Sequence, residues 1–248
     1  MGRERGKGDK SERSTGRRLR GAVAQHLGRA IVSGEIAPGE RLTGEVANAE
    51  ALDVSRSAYR KAIQALTAKG LVESRTKAGT CVLPRQRWNL LDPDVLAWAF
   101  AGEPDAAFMR DLFELRTIVE PAAARLAAQR CTSLDMDALA TALEAMRHHT
   151  LATAAGQLAD RQFHHAMLAA THNDAIVSLS ASIGAAVKLT TRFKQRANAP
   201  LRDAIPDHAL VHQAICDRDA DAAAKAMQAL VDLAFQDTRD LLREPRHD

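Results

Sequence analysis

The stretch from Asp53 to Leu83 leaves the chain few ways to fold. Ser55 is suited to cap a helix. Ala58, Ala62, Ala65 and Leu66, with Ile63 beside them, then form an apolar stripe at helical spacing. Arg56, Ser57, Arg60 and Lys61 crowd the first two turns, and Gly70 ends the helix as a C′ residue. Leu71 to Arg75 and Thr80 to Leu83 read as two short strands joined by the loop Thr76-Lys77-Ala78-Gly79. A helix with a short cationic front and an apolar back suits insertion into a DNA major groove, where the front meets phosphates and base edges. Taken alone, the helix fits an ordinary amphipathic helix with a solvated basic face equally well, so its flanks must decide.

Upstream, Leu19, Val23, Leu27, Ala30 and Ile31 repeat at helical spacing, and Gly34 stops that helix. Ile36 to Leu42 is a turn leading into a short extended piece, Glu45 to Ala51 a second helix, and Leu52 to Ser55 the turn before the basic helix. Helix, helix, recognition helix and β-hairpin in this order make a winged helix-turn-helix over residues 19–84. Residues 1–18, rich in Gly, Arg, Lys, Ser and Glu, read as a disordered basic tail. Its cations either add salt-sensitive attraction to DNA or serve only as a solubilising or cloning-derived extension.

Charge separates the chain into two parts. Residues 1–87 hold 18 Lys and Arg against 9 Asp and Glu, whereas residues 88–248 hold 16 against 22. A basic front and an acidic rear imply two jobs, one of them contact with a polyanion. No apolar run is long enough to span a bilayer, and the N-terminus lacks the apolar core of a secretory signal. Cys81, Cys131 and Cys216 are scattered with no CxxC, so reduced thiols in a cytoplasmic protein are expected.

The rear half reads as helical throughout. Ala107–Gln129, Ser133–Thr150, Ala155–Thr171, Asn173–Arg196, Pro200–Arg218 and Ala220–Leu242 carry helical apolar spacing, with breaks at Pro, Gly, Asn and Asp. The expected fold is mainly α, a winged helix-turn-helix followed by an antiparallel α-helical bundle over residues 106–245. Residues 85–105 form a linker and connecting helix, with Asp92 capping a helix that starts at Pro93 and with Trp88 and Trp98 as packing anchors between the domains.

Several linked motifs carry a family resemblance. Gly34-x-Ile36-x-Pro38-Gly39-x-x-Leu42, Val54-Ser55-Arg56-Ser57-x-x-Arg60-x-Ala62-x-x-x-Leu66, Lys69-Gly70-Leu71-Val72 and Gly79-Thr80-x-Val82 resemble the GntR-type bacterial repressor domain. The resemblance implies that Arg56 and Arg60 contact DNA and that the wing around Lys77 and Gly79 approaches the minor groove. Arg can bind guanine bidentately or grip phosphate, and Gly79 lets the backbone come close. Val46 stands where some relatives carry an Arg for DNA contact, and Asn48 occupies a usually apolar position. Further on, Leu115-Arg116-x-x-Val119-Glu120-Pro121-x-x-Ala124-x-x-Ala127, Asp160-x-x-Phe163-His164, Asn173 and His208-x-x-Val211-x-x-Ala214-Ile215 resemble the FCD effector domain of the FadR subfamily. The Trp88–Trp98 segment resembles the galactonate-operon repressors within it.

Asp160 and His164 are i,i+4 on one helix and can share a divalent metal, Zn²⁺ or similar. As an isolated pair they would fit an ordinary exposed helix face better. The family spacing adds His208 as a third ligand and implies a further His on the last helix. Leu230 stands there instead, leaving a water or an acidic ligand's oxygen to complete the coordination. His212, one turn from His208, is an alternative that the family pattern does not place. Arg116 is explicable as a salt-bridged helix residue, yet an Arg on an apolar face suits bidentate capture of a carboxylate, and the resemblance places it at the pocket. Asn173 either caps its helix or bonds a hydroxyl; Lys188 and Arg192 are weaker candidates for an anionic ligand. The expected function is a homodimeric, DNA-binding transcription regulator, a repressor released from operator DNA by a small carboxylate such as the sugar acid galactonate. The effector-binding set is Arg116, Asp160, His164, His208 and Asn173. The alternatives are a regulator for which the metal itself is the effector, or a metal-dependent enzyme, for which no paired nucleophile or base is evident.

Overall fold

The computed structural model describes residues 21–42, 49–50, 52–75, 79–102, 105–196 and 202–243. The expected tail at 1–18, most of the helix expected at Glu45–Ala51 and the wing tip with Lys77 lie outside the described residues, as do Val46 and Asn48. The chain divides into two compact units, with the boundary between residues 103 and 104.

The first unit contains helix α1 (residues 21–32), helix α2 (Arg56–Ala68), an antiparallel hairpin of β1 (Val72–Arg75) and β2 (Gly79–Val82), a 3-10 turn (Arg85–Arg87) and helix α3 (Pro93–Ala99). The Ser55 hydroxyl accepts the Ala58 N–H at 3.2 Å, satisfying a donor that the helix itself leaves orphaned. At the other end the Leu71 N–H returns to the Leu66 carbonyl at 3.0 Å across Gly70, whose φ is +71°. That left-handed residue is what lets α2 stop and β1 begin. The hairpin pairs Val72 with Val82 and Arg75 with Gly79, and an isolated bridge from Arg41 to Cys81 adds the extended piece expected before Leu42.

Val23, Leu27 and Ile31 of α1, Tyr59, Ile63 and Leu66 of α2, and Leu71, Val72 and Val82 around the hairpin form one buried cluster. Trp88, Val95 and Trp98 belong to it as well. The segment expected as a linker is therefore part of the first unit's core, and the tryptophans expected between domains pack inside it. Trp88 Nε1 donates to the Leu83 carbonyl at 2.7 Å, and the Asn89 N–H donates to the Lys69 carbonyl at 2.9 Å. Lys69 Nζ lies 2.7 Å from Asp92 and 2.8 Å from Asp94. Asp92 also caps α3, its carboxylate accepting from Asp94 and Val95. The C-terminal end of the recognition helix is thus held by the residues that follow the hairpin.

The second unit contains α4 (Ala106–Arg130), α5 (Ser133–His149), α6 (Ala154–Ala169), a short α7 (Asp174–Val177), α8 (Ser180–Arg196), α9 (Ile205–Cys216) and α10 (Ala220–Arg243). The helix expected at Asn173–Arg196 is broken after Val177, and the one expected from Pro200 begins at Ile205, with Pro206 in its first turn. Local side chains fix several starts: Asp105 caps α4, Thr153 caps α6, and Thr132 with Asp135 forms a reciprocal capping box on α5. Packing joins α4 to α10, α5 to α6, α9 to α10 and α6 to α8. Phe113, Met109, Leu139, Met146, Phe163, Met167 and Val231 lie almost fully buried in this core.

Gly70 offers a test of the junction between α2 and the former linker. A Cβ there would sit 2.2 Å from the Arg87 carbonyl oxygen, whereas at Gly39, with φ +86°, it would meet nothing within 4 Å. Gly39→Ala is expected to cost only the left-handed backbone penalty, about 1 kcal/mol. Gly70→Ala should cost clearly more, because a carbonyl must also move. Urea unfolding followed by tryptophan fluorescence reports this unit directly; equal midpoints for the two variants would contradict the packing described.

Candidate metal and effector site

The Asp160 and His164 side chains lie on the inner face of α6, 5% and 2% exposed, and His208 of α9 joins them at 3%. His208 Nδ1 donates to the Ala204 carbonyl at 2.7 Å; a carbonyl only accepts, so this nitrogen carries a proton and Nε2 faces inward. That Nε2 lies 3.1 Å from Asp160 Oδ1, and His164 Nε2 lies 3.6 Å from the same oxygen. One ligand atom from each residue falls within 4.8 Å of the other two. Tetrahedral coordination with arms of about 2.0–2.2 Å separates ligand atoms by about 3.4 Å, so the cluster has the size of a divalent metal site. Two imidazoles and one carboxylate suit Zn²⁺ or a similar borderline ion.

Behind His164 stands Glu120 of α4, fully buried. Its Oε2 lies 2.5 Å from His164 Nδ1, and its Oε1 takes the Arg116 Nε–H at 2.5 Å. The Glu120–His164 contact is close but poorly aligned as a hydrogen bond, and Asp160 Oδ1 and His208 Nε2 likewise lack an aligned partner. Buried polar atoms aimed at one another without a satisfied bond mark a place where an ion or ligand oxygen fits. A carboxylate behind a metal-facing imidazole fixes the ring's orientation and raises its basicity.

The charges in this cluster are strongly coupled. Burial works to raise the Asp160 carboxyl, but the His164 and His208 rings hold it well below the usual carboxylate range. Burial opposes ionisation of Glu120 too, yet Arg116 and His164 bring its pKa down to about 2. Burial would lower His164, whereas Glu120 and Asp160 raise it to about 9. Without a cation, protonated His164 and Arg116 balance the two carboxylates.

Arg116, read from the sequence as a carboxylate grip, is 3% exposed and commits its Nε to Glu120, with its guanidinium carbon 5.2 Å from the Phe113 ring centre. Its two terminal nitrogens have no acceptor among the described residues. Of the two roles open to Asn173 the structure shows the cap: its Oδ1 accepts from the Ala175 and Ile176 N–H groups at 3.0 and 3.3 Å at the start of α7. Leu230 is 3% exposed and contributes no donor. Lys188 lines an outer groove with Arg161 and His165, and His212 contacts Cys216 at 3.4 Å. Glu120 is the residue that sequence reasoning missed, although its i,i+4 spacing from Arg116 on an apolar helix was the available signal.

In the first unit Arg56, Ser57, Arg60 and Lys61 are all exposed on the opening turns of α2. Gly79 opens β2 with φ +79° and free space where a Cβ would be. A cleft of about 620 Å³ runs between α2 and the hairpin, bordered by Arg60, Gln64, Arg75 and Gly79. The cationic face and the wing thus stand on adjoining walls of one cleft.

Two family descriptions match the chain: bacterial regulatory proteins, gntR family, over residues 19–82, and FCD domain over residues 111–233. Among curated proteins, the galactonate operon transcriptional repressor of Escherichia coli (strain K12) is 35% identical over 208 residues, covering 83% of this chain and 90% of that one. The Uxu operon transcriptional regulator of the same organism is 31% identical over 224 residues, covering 84% and 80%. A solved structure described as Lar, which controls the expression of the Listeria monocytogenes agr system, superposes with a TM-score of 0.65 at 20% identity, over 90% of this chain and 97% of that one, and speaks to the fold.

Two outcomes test the charge network. Glu120→Ala should cost about 3–5 kcal/mol in unfolding free energy, since it leaves the Arg116 charge buried and uncompensated. In chelator-treated protein, the His164 pKa lies above its ordinary value of 6.5, at about 9. The stability it contributes is therefore full below pH 6.5 and is lost as pH rises from there to about 9. Urea unfolding followed by circular dichroism at pH 6, 7.5 and 9 should show that decline, and His164→Gln should flatten it.

Proposed function

From the premise that the chain belongs to the gntR family of bacterial regulatory proteins and carries an FCD domain, we propose that it is a repressor whose grip on operator DNA is released by a small carboxylate bound in the second unit. That the chain is a DNA-binding transcription regulator and not an enzyme follows from its family and its relatives. The further reading rests above all on the convergence of Asp160, His164 and His208 on one buried point, with Arg116 behind them. These three residues would hold a divalent metal there. Such an ion would supply a Lewis-acidic charge for a carboxylate oxygen, with Leu230 adding no further protein ligand. Glu120 orients His164 and Ala204 orients His208; the terminal nitrogens of Arg116, which have no acceptor among the described residues, would take the second carboxylate oxygen.

The effector is a sugar acid, as the name of the galactonate operon relative suggests for this chain. In the first unit Arg56, Ser57, Arg60 and Lys61 meet the major groove, and the wing at Lys77 and Gly79 approaches the minor groove. The regulator works as a homodimer in the cytoplasm, so its operator is roughly palindromic, two half-sites matching two winged domains. Among the described residues no helix is long and apolar enough to cross a membrane. A second reading, in which the ion itself is the effector, is favoured by the same triad and differs only in what must be added.

Gel shifts with the DNA upstream of its own gene separate these readings. Metal-loaded protein should bind, and galactonate or a related sugar acid should release it. Release by Zn²⁺ alone would favour the metal-sensor reading, and binding that no acid alters would sink the effector. Asp160→Ala should abolish the response while leaving DNA binding intact, and Arg60→Ala should weaken binding at least tenfold while leaving effector affinity unchanged.

A further inference from the structure

We infer that Gln157 and Lys194 form a second polar subsite beside the Asp160–His164–His208 cluster, one that takes the hydroxyl-bearing tail of a polyhydroxy acid and sets the length of effector the protein accepts. This rests on the carboxylate-effector reading above and specifies it.

Gln157 precedes Asp160 by one helical turn, about 4.5 Å along α6. With Asp160 and His164 it occupies one inward face of that helix, 8% exposed. Its carboxamide, with two donors and an acceptor, makes no hydrogen bond among the described residues. Its atoms are not sealed off as those of the cluster are, so the carboxamide keeps a small accessible surface through which a partner could reach it.

The C-terminal end of α8 lies beside the N-terminal end of α6. Gln195 Nε2 donates to the Leu151 and Ala152 carbonyls at 3.3 and 3.0 Å, just ahead of α6. Nearer the other end Gly184 faces Arg161, so the two helices run in opposite senses, with Thr190 about level with Gln157 and Lys194 one turn beyond. Thr190 and Lys194 are i,i+4 on that part of α8. The Thr190 hydroxyl is buried and donates back to its own helix. Lys194 is 16% exposed at its side chain, with Nζ 3.5 Å from Asp237. Burial draws its ammonium below the usual lysine range, and the charges of Arg116 and Asp160 both act on it. It therefore belongs to the same interior as the cluster.

Charge selects what fits this end. Asp237 is shared by Lys194 and by Arg202 Nε, each at 3.5 Å, and Arg202 also pairs with Asp207. Two cations meet two carboxylates, so the subsite is close to neutral. A second carboxylate or a phosphate would upset that balance, and an apolar tail would leave Gln157 unpaired. Hydroxyl groups, which donate and accept, satisfy a carboxamide and an ammonium together. The class that results is a linear acid with its carboxylate at the cluster and hydroxyls further along, as in a six-carbon aldonate.

The test uses the full-length protein with calorimetry and DNA-release assays. Galactonate and gluconate are the long probes, and glycolate and lactate the short ones. Gln157→Met keeps the volume and removes the hydrogen bonds, and Lys194→Met does the same for the ammonium. Each should raise the aldonate Kd at least tenfold while Zn²⁺ affinity and DNA affinity stay as in the wild type. Aldonate binding unchanged in both variants would overturn the inference. A parallel loss of Zn²⁺ affinity in both would do so as well, since the residues would then be supports of the cluster. A wild type released by glycolate or lactate but by no aldonate would overturn the subsite and leave the carboxylate reading standing. A wild type that no acid releases would overturn both.

Discussion

The Glu120 carboxylate is the interaction on which the second unit's interior depends. It is wholly inside the protein, with one oxygen on Arg116 of its own helix and the other on His164 of a neighbouring helix. Remove it and two cationic groups lose their counter-charge in a place water does not reach. Keep it and the imidazole of His164 is turned so that its other nitrogen meets Asp160. A charged group this deep is weak evidence for stability, since an apolar replacement of the whole set often does as well. Its value lies in orientation. Buried polar side chains from three helices, α4, α6 and α9, converge on a common point.

The same logic, with different chemistry, governs the first unit. The recognition helix is exposed along its cationic opening turns and therefore gains nothing from burial there. What fixes it is its other end, where Gly70 permits the turn into β1 and Lys69 is held by Asp92 and Asp94. Trp88 and Trp98 fill the core beneath. The anchored end of the helix and its exposed cationic end are thus separated along one element. The residues after the hairpin supply the rigidity.

How much of this could be read in advance depended on range. The recognition helix, its Ser55 cap, its Gly70 stop and the hairpin are local signals, and the chain carries them in plain order. Asp92 ahead of Pro93 is likewise local, and α3 begins where that pair says. Asp160, His164 and His208 could be grouped because two lie on one helix face and the third sits at a family spacing. The residues 85–99 misled because composition alone cannot tell a tether from a segment folded back onto a core; the Gly70–Arg87 contact and the Trp88–Leu83 bond are long-range facts. Glu120 was hidden for a related reason, since its meaning comes from His164 on another helix. Asn173 was legible as a cap for the opposite reason, since its bonds to Ala175 and Ile176 lie within its own turn. The break after Val177 left no Pro or Gly behind to announce it.

The arrangement around His164 has a consequence for any ion that enters. With Glu120 on one side and Asp160 on the other, the ring is held protonated past neutrality. A cation at its Nε2 would have to displace that proton, so uptake of one ion would give back one hydrogen ion. Its apparent affinity would then climb with pH across the neutral range. Such a site would be an exchanger as much as a receptor, with a proton as the counter-ion it starts from.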